Sequence, residues 1–191
     1  MSKNLVLTVA IGDFHSALEK VTGPTVEAYA KKIGADYLCI RKHKLAKTYM
    51  IWERFLRMKE LLSDYSRVLS IDVDAIIRPD CPSLFDIVPE NEMGMFNEGL
   101  LTTLAEKEHQ RKAMEKAFEE YERPFPVDYD GRFYNGGIML APKRLQWVYE
   151  SPSHESDANY FDTRYIGGEI EIIKEYWEKK DMSILKNWWA K

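Results

Sequence analysis

Short apolar runs alternate along this chain with longer stretches in which apolar residues recur every three or four positions. The runs read as buried strands, the periodic stretches as helices covered on one face. Leu5-Val6-Leu7-Thr8-Val9-Ala10-Ile11, rich in β-branched residues and closed by Gly12, predicts a first strand. Thr22-Gly23-Pro24 predicts the start of a helix, with Val26, Tyr29, Ala30 and Ile33 on its buried face and Gly34 as its stop. Asp36-Tyr37-Leu38-Cys39-Ile40 predicts a second strand. Ile51, Phe55, Met58 and Leu62 mark a long helix, and Arg67-Val68-Leu69-Ser70-Ile71 a third buried strand ending in Asp72-Val73-Asp74. A Pro79-Asp80-Cys81-Pro82 turn leads to a short segment closed by Pro89, then to a strand at Met93-Gly94-Met95-Phe96. Over 101–122 the apolar positions thin to Leu104, Met114, Ala117, Phe118 and Tyr121, a helix packed by one stripe. Arg123-Pro124-Phe125-Pro126-Val127 ends it and opens a loop to Arg132. Phe133-Tyr134-Asn135-Gly136-Gly137-Ile138-Met139-Leu140 reads as an irregular entry to a last buried strand. Residues 151–163 are polar and turn-rich, and 169–180 carry Ile170, Ile173, Tyr176 and Trp177 at helical spacing.

Strands and helices alternating in this order predict an α/β sandwich around a mostly parallel sheet. A length of 191 residues suits a single domain, and 45% hydrophobic with 13% aromatic residues describes a chain that folds. The net charge of −4 excludes the basic surplus by which a protein coats nucleic-acid phosphates. No apolar stretch reaches the length of a membrane span, and 5–11 runs straight into Gly12-Asp13 without a signal-peptide core. The expectation is a soluble, cytoplasmic protein. Cys39 and Cys81 show neither CxxC spacing nor a neighbouring histidine, so they predict free thiols rather than a disulfide or zinc site.

With 12 aspartates in the chain, about 0.75 Asp-X-Asp triplets arise by chance, so the motif alone says little. Asp128-Tyr129-Asp130 sits in a polar loop, where aspartate is a turn former. Asp72 and Asp74 instead follow a buried run, at the carboxyl end of a strand, the edge at which open α/β sheets bind ligands. Residues two apart in an extended segment project the same way, so both carboxylates can converge on one point. Two like charges that close together call for a cation or proton between them. Mg2+ or Mn2+ uses one or two protein carboxylates and completes its shell with water and substrate phosphates. The pair therefore suggests a metal–diphosphate site; the alternative is an ion-paired or capping aspartate pair, with Arg54, Arg67 or Arg78 as counter-charge. Asn135-Gly136-Gly137 is either a turn or a ligand-facing entrance, since paired glycines allow close approach and Asn135 offers a donor and an acceptor. The basic segment 41–47 reads as a solvated loop or one facing phosphate or acceptor.

Four of these segments together resemble the glycogenin-like and lipopolysaccharide-galactosyltransferase-like enzymes, glycosyltransferase family 8 and its relatives. They are Leu7-Thr8-Val9-Ala10-Ile11-Gly12-Asp13, Tyr49-Met50-Ile51-Trp52-Glu53-Arg54-Phe55, Tyr65 through Ile77 with Asp72-Val73-Asp74 at its centre, and Phe133 through Leu140. The order matches over about 4–145. The chain is also similar to glycosyltransferase domains of large DNA viruses that decorate a capsid protein. This resemblance implies a GT-A fold, a Rossmann-like three-layer sandwich, and transfer of a sugar from a UDP-sugar to an acceptor hydroxyl on a glycan or glycoprotein, with Mn2+ or Mg2+ and retention of configuration. It further implies that Ala10, Ile11 and Gly12 hold the uridine, with Phe14 or His15 stacking on the base, and that Arg54 reaches the phosphate or sugar. Asp72 and Asp74 would then bind the metal, the ribose or both, with Val73 between them contributing to donor binding, and Asn135, Gly136 and Gly137 would line the sugar and acceptor side.

Two departures stand out. Where the family has Asp-Gln-Asp before a late helix, this chain has Glu169-Ile170-Glu171, so Glu169 is either a sugar-facing acid or an acid at a helix start. The family's late metal-binding histidine and Gly-Lys motif have no counterpart unless His154 in the polar loop substitutes, which fits a minimal enzyme or one truncated at its C-terminus. Two rivals remain: a haloacid-dehalogenase-like phosphohydrolase, whose strand also ends in DxD, and a nucleotide-sugar-binding domain without catalysis.

Overall fold

The computed structural model describes residues 3–44, 50–97, 103–120 and 134–149. β1 (Asn4–Val9), β2 (Asp36–Ile40) and β3 (Arg67–Ile71) form at the apolar runs. With β4 (Gly94–Asn97) and β5 (Tyr134–Pro142) they make one sheet in the order β2-β1-β3-β5-β4. β1 pairs in parallel with β2 and with β3, whereas β5 runs antiparallel to β3.

Register sorts the side chains, because alternate residues face opposite sides of a sheet. Val6 lies beside Leu69, and Leu69 opposite Leu140, on one face; Leu7 lies beside Ser70, and Ser70 opposite Met139, on the other. α1 (Asp13–Lys32) covers the first face, packing Val26, Tyr29 and Ala30 with Val6, Leu69, Ile71 and Leu140. Phe85, from the one-turn helix α3 (Leu84–Ile87), joins that core. α2 (Met50–Asp64) covers the other face through the fully buried Met58 and Leu62. Beside it lies a 3-10 helix (Lys143–Tyr149), whose Tyr149 hydroxyl donates to the Met139 sulfur at 3.3 Å.

α1 begins at Asp13, not at Thr22 as the Gly23-Pro24 signal suggests. Proline in a helix interior lacks an N–H and costs about 3 kcal/mol, so locally the pair reads as an entry. Tertiary burial overrides that penalty: Thr22, Gly23, Val26, Tyr29 and Ala30 are all buried. The C-terminus ends as expected, with Gly34 at φ +69° and its N–H on Lys31 O (3.3 Å), and Ala35 N–H on Ala30 O (3.0 Å), a Schellman closure.

Arg67 is buried on the α1 face, and among the described residues it forms no ion pair. Its guanidinium donates to the carbonyls of Phe85 (2.6 Å) and Val88 (2.7 Å) and lies 5.4 Å from the Phe85 ring centre. It thereby pins α3 to β3, at the cost of a pKa pushed down by burial.

The chain divides into two compact units, Met1–Met95 with Gly136–Ser151 and Phe96–Asn135 with Pro152–Lys191. The core and both sheet faces described above belong to the first. In the second, α4 (Leu104–Glu120) opens on a capping box: Thr103 N–H donates to Glu106 Oε2 (2.7 Å) and Glu106 N–H to Thr103 Oγ1 (3.3 Å).

Candidate functional site

Strand order reverses at β1. From β1 the chain goes by way of α1 to β2 on one side, then returns by way of α2 to β3 on the other. Such a reversal is a topological switch point, and open α/β sheets bind ligands at the carboxyl ends of the strands that flank it. Here those ends are the turns at Gly12 and Asp72.

After β1, the buried Ala10 donates its N–H to Ile40 O (2.8 Å). Gly12 then precedes α1 at φ +88°, a conformation that strains any side chain; the space around it is open, so backbone geometry is what requires glycine. His15 places Nδ1 3.0 Å from Ile11 O, and Phe14, 70% exposed, meets the His15 ring edge-on at 5.3 Å between centroids. The segment for which the resemblance implies uridine binding is thus a strand-to-helix turn opening on the amino end of α1, where partial positive charge gathers.

After β3, Asp72 N–H donates to Gly137 O (2.7 Å) and Ala75 N–H to Asp72 O (3.1 Å), which closes 72–75 as a turn. This corrects the extended geometry expected of Asp72-Val73-Asp74: a turn does not carry the alternation that would aim both carboxylates alike. Arg54, from α2, donates to Asp72 Oδ1 at 2.5 Å; its side chain is 5% exposed and that of Asp72 41%. Of the three candidate counter-charges it is therefore Arg54 that meets Asp72, while Arg67 serves α3 and Arg78 pairs with Asp80 at 2.8 Å. Asp74 is exposed. Val73 between them is buried, and its carbonyl accepts the Thr22 hydroxyl at 2.5 Å.

Because β5 runs antiparallel to β3, its beginning meets the end of β3, with Ile138 opposite Ile71. Gly136 and Gly137, both buried, therefore arrive beside Asp72 from more than sixty residues away. Asn135 enters β5 one residue earlier, its side chain outside the described residues. Glu169, His154 and the loop 151–163 also lie outside them. Among the described residues no three His, Cys, Asp or Glu gather as a cation site. The donors at the turn, two carboxylates, are the hard oxygens that Mg2+ or Mn2+ takes alongside substrate phosphate.

Two residues at this edge escape the sequence reading. Glu53 is fully buried beside Arg54 and accepts the Lys44 N–H at 3.0 Å. An acid on an apolar helix carries no local mark of such burial. Thr22 was legible only as part of a supposed helix start. In the described part of the basic segment Arg41 pairs with Glu19 (2.9 Å) and Lys44 with Glu60 (3.2 Å).

The fold and this edge define a mixed α/β protein with a mostly parallel five-stranded sheet flanked by helices. No protein-family model and no curated protein sequence matches the chain. Among solved structures it is similar to a glycosyltransferase involved in the glycosylation of the major capsid of PBCV-1, at 14% identity and a TM-score of 0.47 over 77% of this chain. It spans 63% of that protein's chain. Among the described residues no helix is long and apolar enough to cross a membrane.

Proposed function

We propose that this chain is a nucleotide-sugar-dependent glycosyltransferase, moving a sugar from a UDP-sugar onto a hydroxyl of a glycan or glycoprotein acceptor. The observation that carries the reading is the convergence on Asp72. Arg54 at 2.5 Å and Gly137 at 2.7 Å bring three separate motif segments to the carboxyl end of β3, at a switch point of the sheet.

In this reading Asp72 and Asp74 hold a Mn2+ or Mg2+ that, when bound, offsets charge on the donor diphosphate. Arg54 orients Asp72 and adds positive charge behind it, preorganised because its guanidinium is already buried and bonded. The Gly12 turn offers backbone groups to the base and ribose, and Gly136 with Gly137 lets the sugar approach the strand closely. Transfer breaks the bond between the anomeric carbon and the diphosphate oxygen and forms one to the acceptor oxygen. With retention, the acceptor proton passes to the departing diphosphate on the same face, so no dedicated base is needed.

Calorimetric titration of UDP into the protein, with Mn2+ and then with excess EDTA, tests this. Binding that requires the metal is the expected result, followed by transfer or slow hydrolysis with one of a panel of UDP-sugars. Absence of binding in both conditions, or phosphatase activity indifferent to nucleotide, would overturn it.

A further inference from the structure

We propose that Thr22 is a positioning residue for the Asp72-Val73-Asp74 turn, fixing the direction of Asp74 through the Val73 carbonyl; this rests on the reading of that turn as the metal–diphosphate site. Thr22 lies on the buried face of α1 and is 4% exposed. A mid-helix threonine ordinarily gives its proton to the carbonyl four residues back. Here Leu18 O lies at 3.1 Å but Val73 O at 2.5 Å, and since a hydroxyl has one proton, the shorter contact takes it. Three residues on, Thr25 Oγ1 accepts the Ile77 N–H at 3.1 Å while donating to Thr22 O at 2.7 Å. One turn of α1 thus grips the segment 73–77 at both ends.

The consequence follows from the planar peptide. The Val73 carbonyl and the Asp74 nitrogen share one rigid plane, so a bond to that carbonyl orients the plane from which Asp74 projects. Asp72 is held independently by Arg54 and by Gly137. The two carboxylates therefore have separate anchors on opposite faces of the sheet, Asp72 from α2 and Asp74 from α1. In a turn, where strand alternation no longer aligns them, these anchors take over that task.

The full chain carrying Thr22→Val, which removes the hydroxyl at nearly constant shape, is compared with Thr22→Ser, which keeps it. UDP is titrated calorimetrically with Mn2+ and with EDTA, and hydrogen exchange is followed at the Ala75 and Ile77 amides. Thr22→Val should weaken the Mn2+-dependent UDP affinity about tenfold and speed exchange at both amides, with Thr22→Ser within about twofold of wild type. The circular dichroism spectrum should be the same in all three, which a general loss of structure would not give. Should Thr22→Val not fold, Thr22→Ala serves the same comparison. Wild-type Mn2+-dependent affinity in the hydroxyl-free variant, or equal weakening in Thr22→Ser, overturns the inference. A wild type that binds no UDP with Mn2+ instead removes the site reading, and the inference with it.

Discussion

The guanidinium of Arg54 and the carboxylate of Asp72, eighteen residues apart in the chain, meet at 2.5 Å with the cation buried and the anion partly at the surface. The asymmetry decides what each substitution costs. Arg54→Met leaves a carboxylate that water can still reach, so the loss should be about 1–3 kcal/mol, below that of breaking a fully buried pair. Urea denaturation measures it. Asp72→Asn, which replaces the charged acceptor of that guanidinium by a neutral one, should cost about 1–3 kcal/mol as well, and a variant as stable as wild type would contradict this.

Asp74 should separate function from stability. It is exposed and, among the described residues, meets no cation, so Asp74→Asn should change stability by no more than about 0.5 kcal/mol. The same substitution should abolish Mn2+-dependent UDP binding. Undiminished metal-dependent binding would take Asp74 out of the site.

Arg67 supplies the converse case. It sits at the opposite, amino end of β3, where Arg67→Met would leave the carbonyls of Phe85 and Val88 without their charged donor. We expect a loss of about 3 kcal/mol in urea denaturation and unchanged UDP affinity. A stable variant would show that α3 is held by Phe85 alone.

Burial pushes the Tyr37 hydroxyl from 10.0 up to about 12. Folding thus favours its neutral form. The contribution is fully present below the unfolded value and is lost as pH rises from there through the folded one. Stability should therefore fall on going from about pH 9 to about pH 11. Tyr37→Phe should show a shallower fall over the same step, and an identical slope in both proteins would refute the assignment.

The sheet was legible because burial on a strand leaves a local trace. β3 has the bounds its apolar run predicts, and Gly34 ends α1 where a left-handed closure needs glycine. The position of Asp72 at the end of that strand follows from the same pattern. α1 misled the reading because Gly23-Pro24 is a strong local breaker signal, and only packing against Val6 and Leu69 outweighs it.

What the amino-acid order determined by itself, then, is the set of elements and the motifs at their ends: hydrophobic period, β-branching and glycine placement are properties of neighbouring residues. The tertiary structure alone decided which of three arginines pairs with Asp72, that 72–75 closes as a turn, that β5 runs antiparallel and so delivers Gly137 to it, and that Thr22 reaches Val73. Apart from the turn itself, these contacts join residues far apart in the chain, and such partners are set by how the strands order and how the helices cross the sheet, which no local pattern encodes.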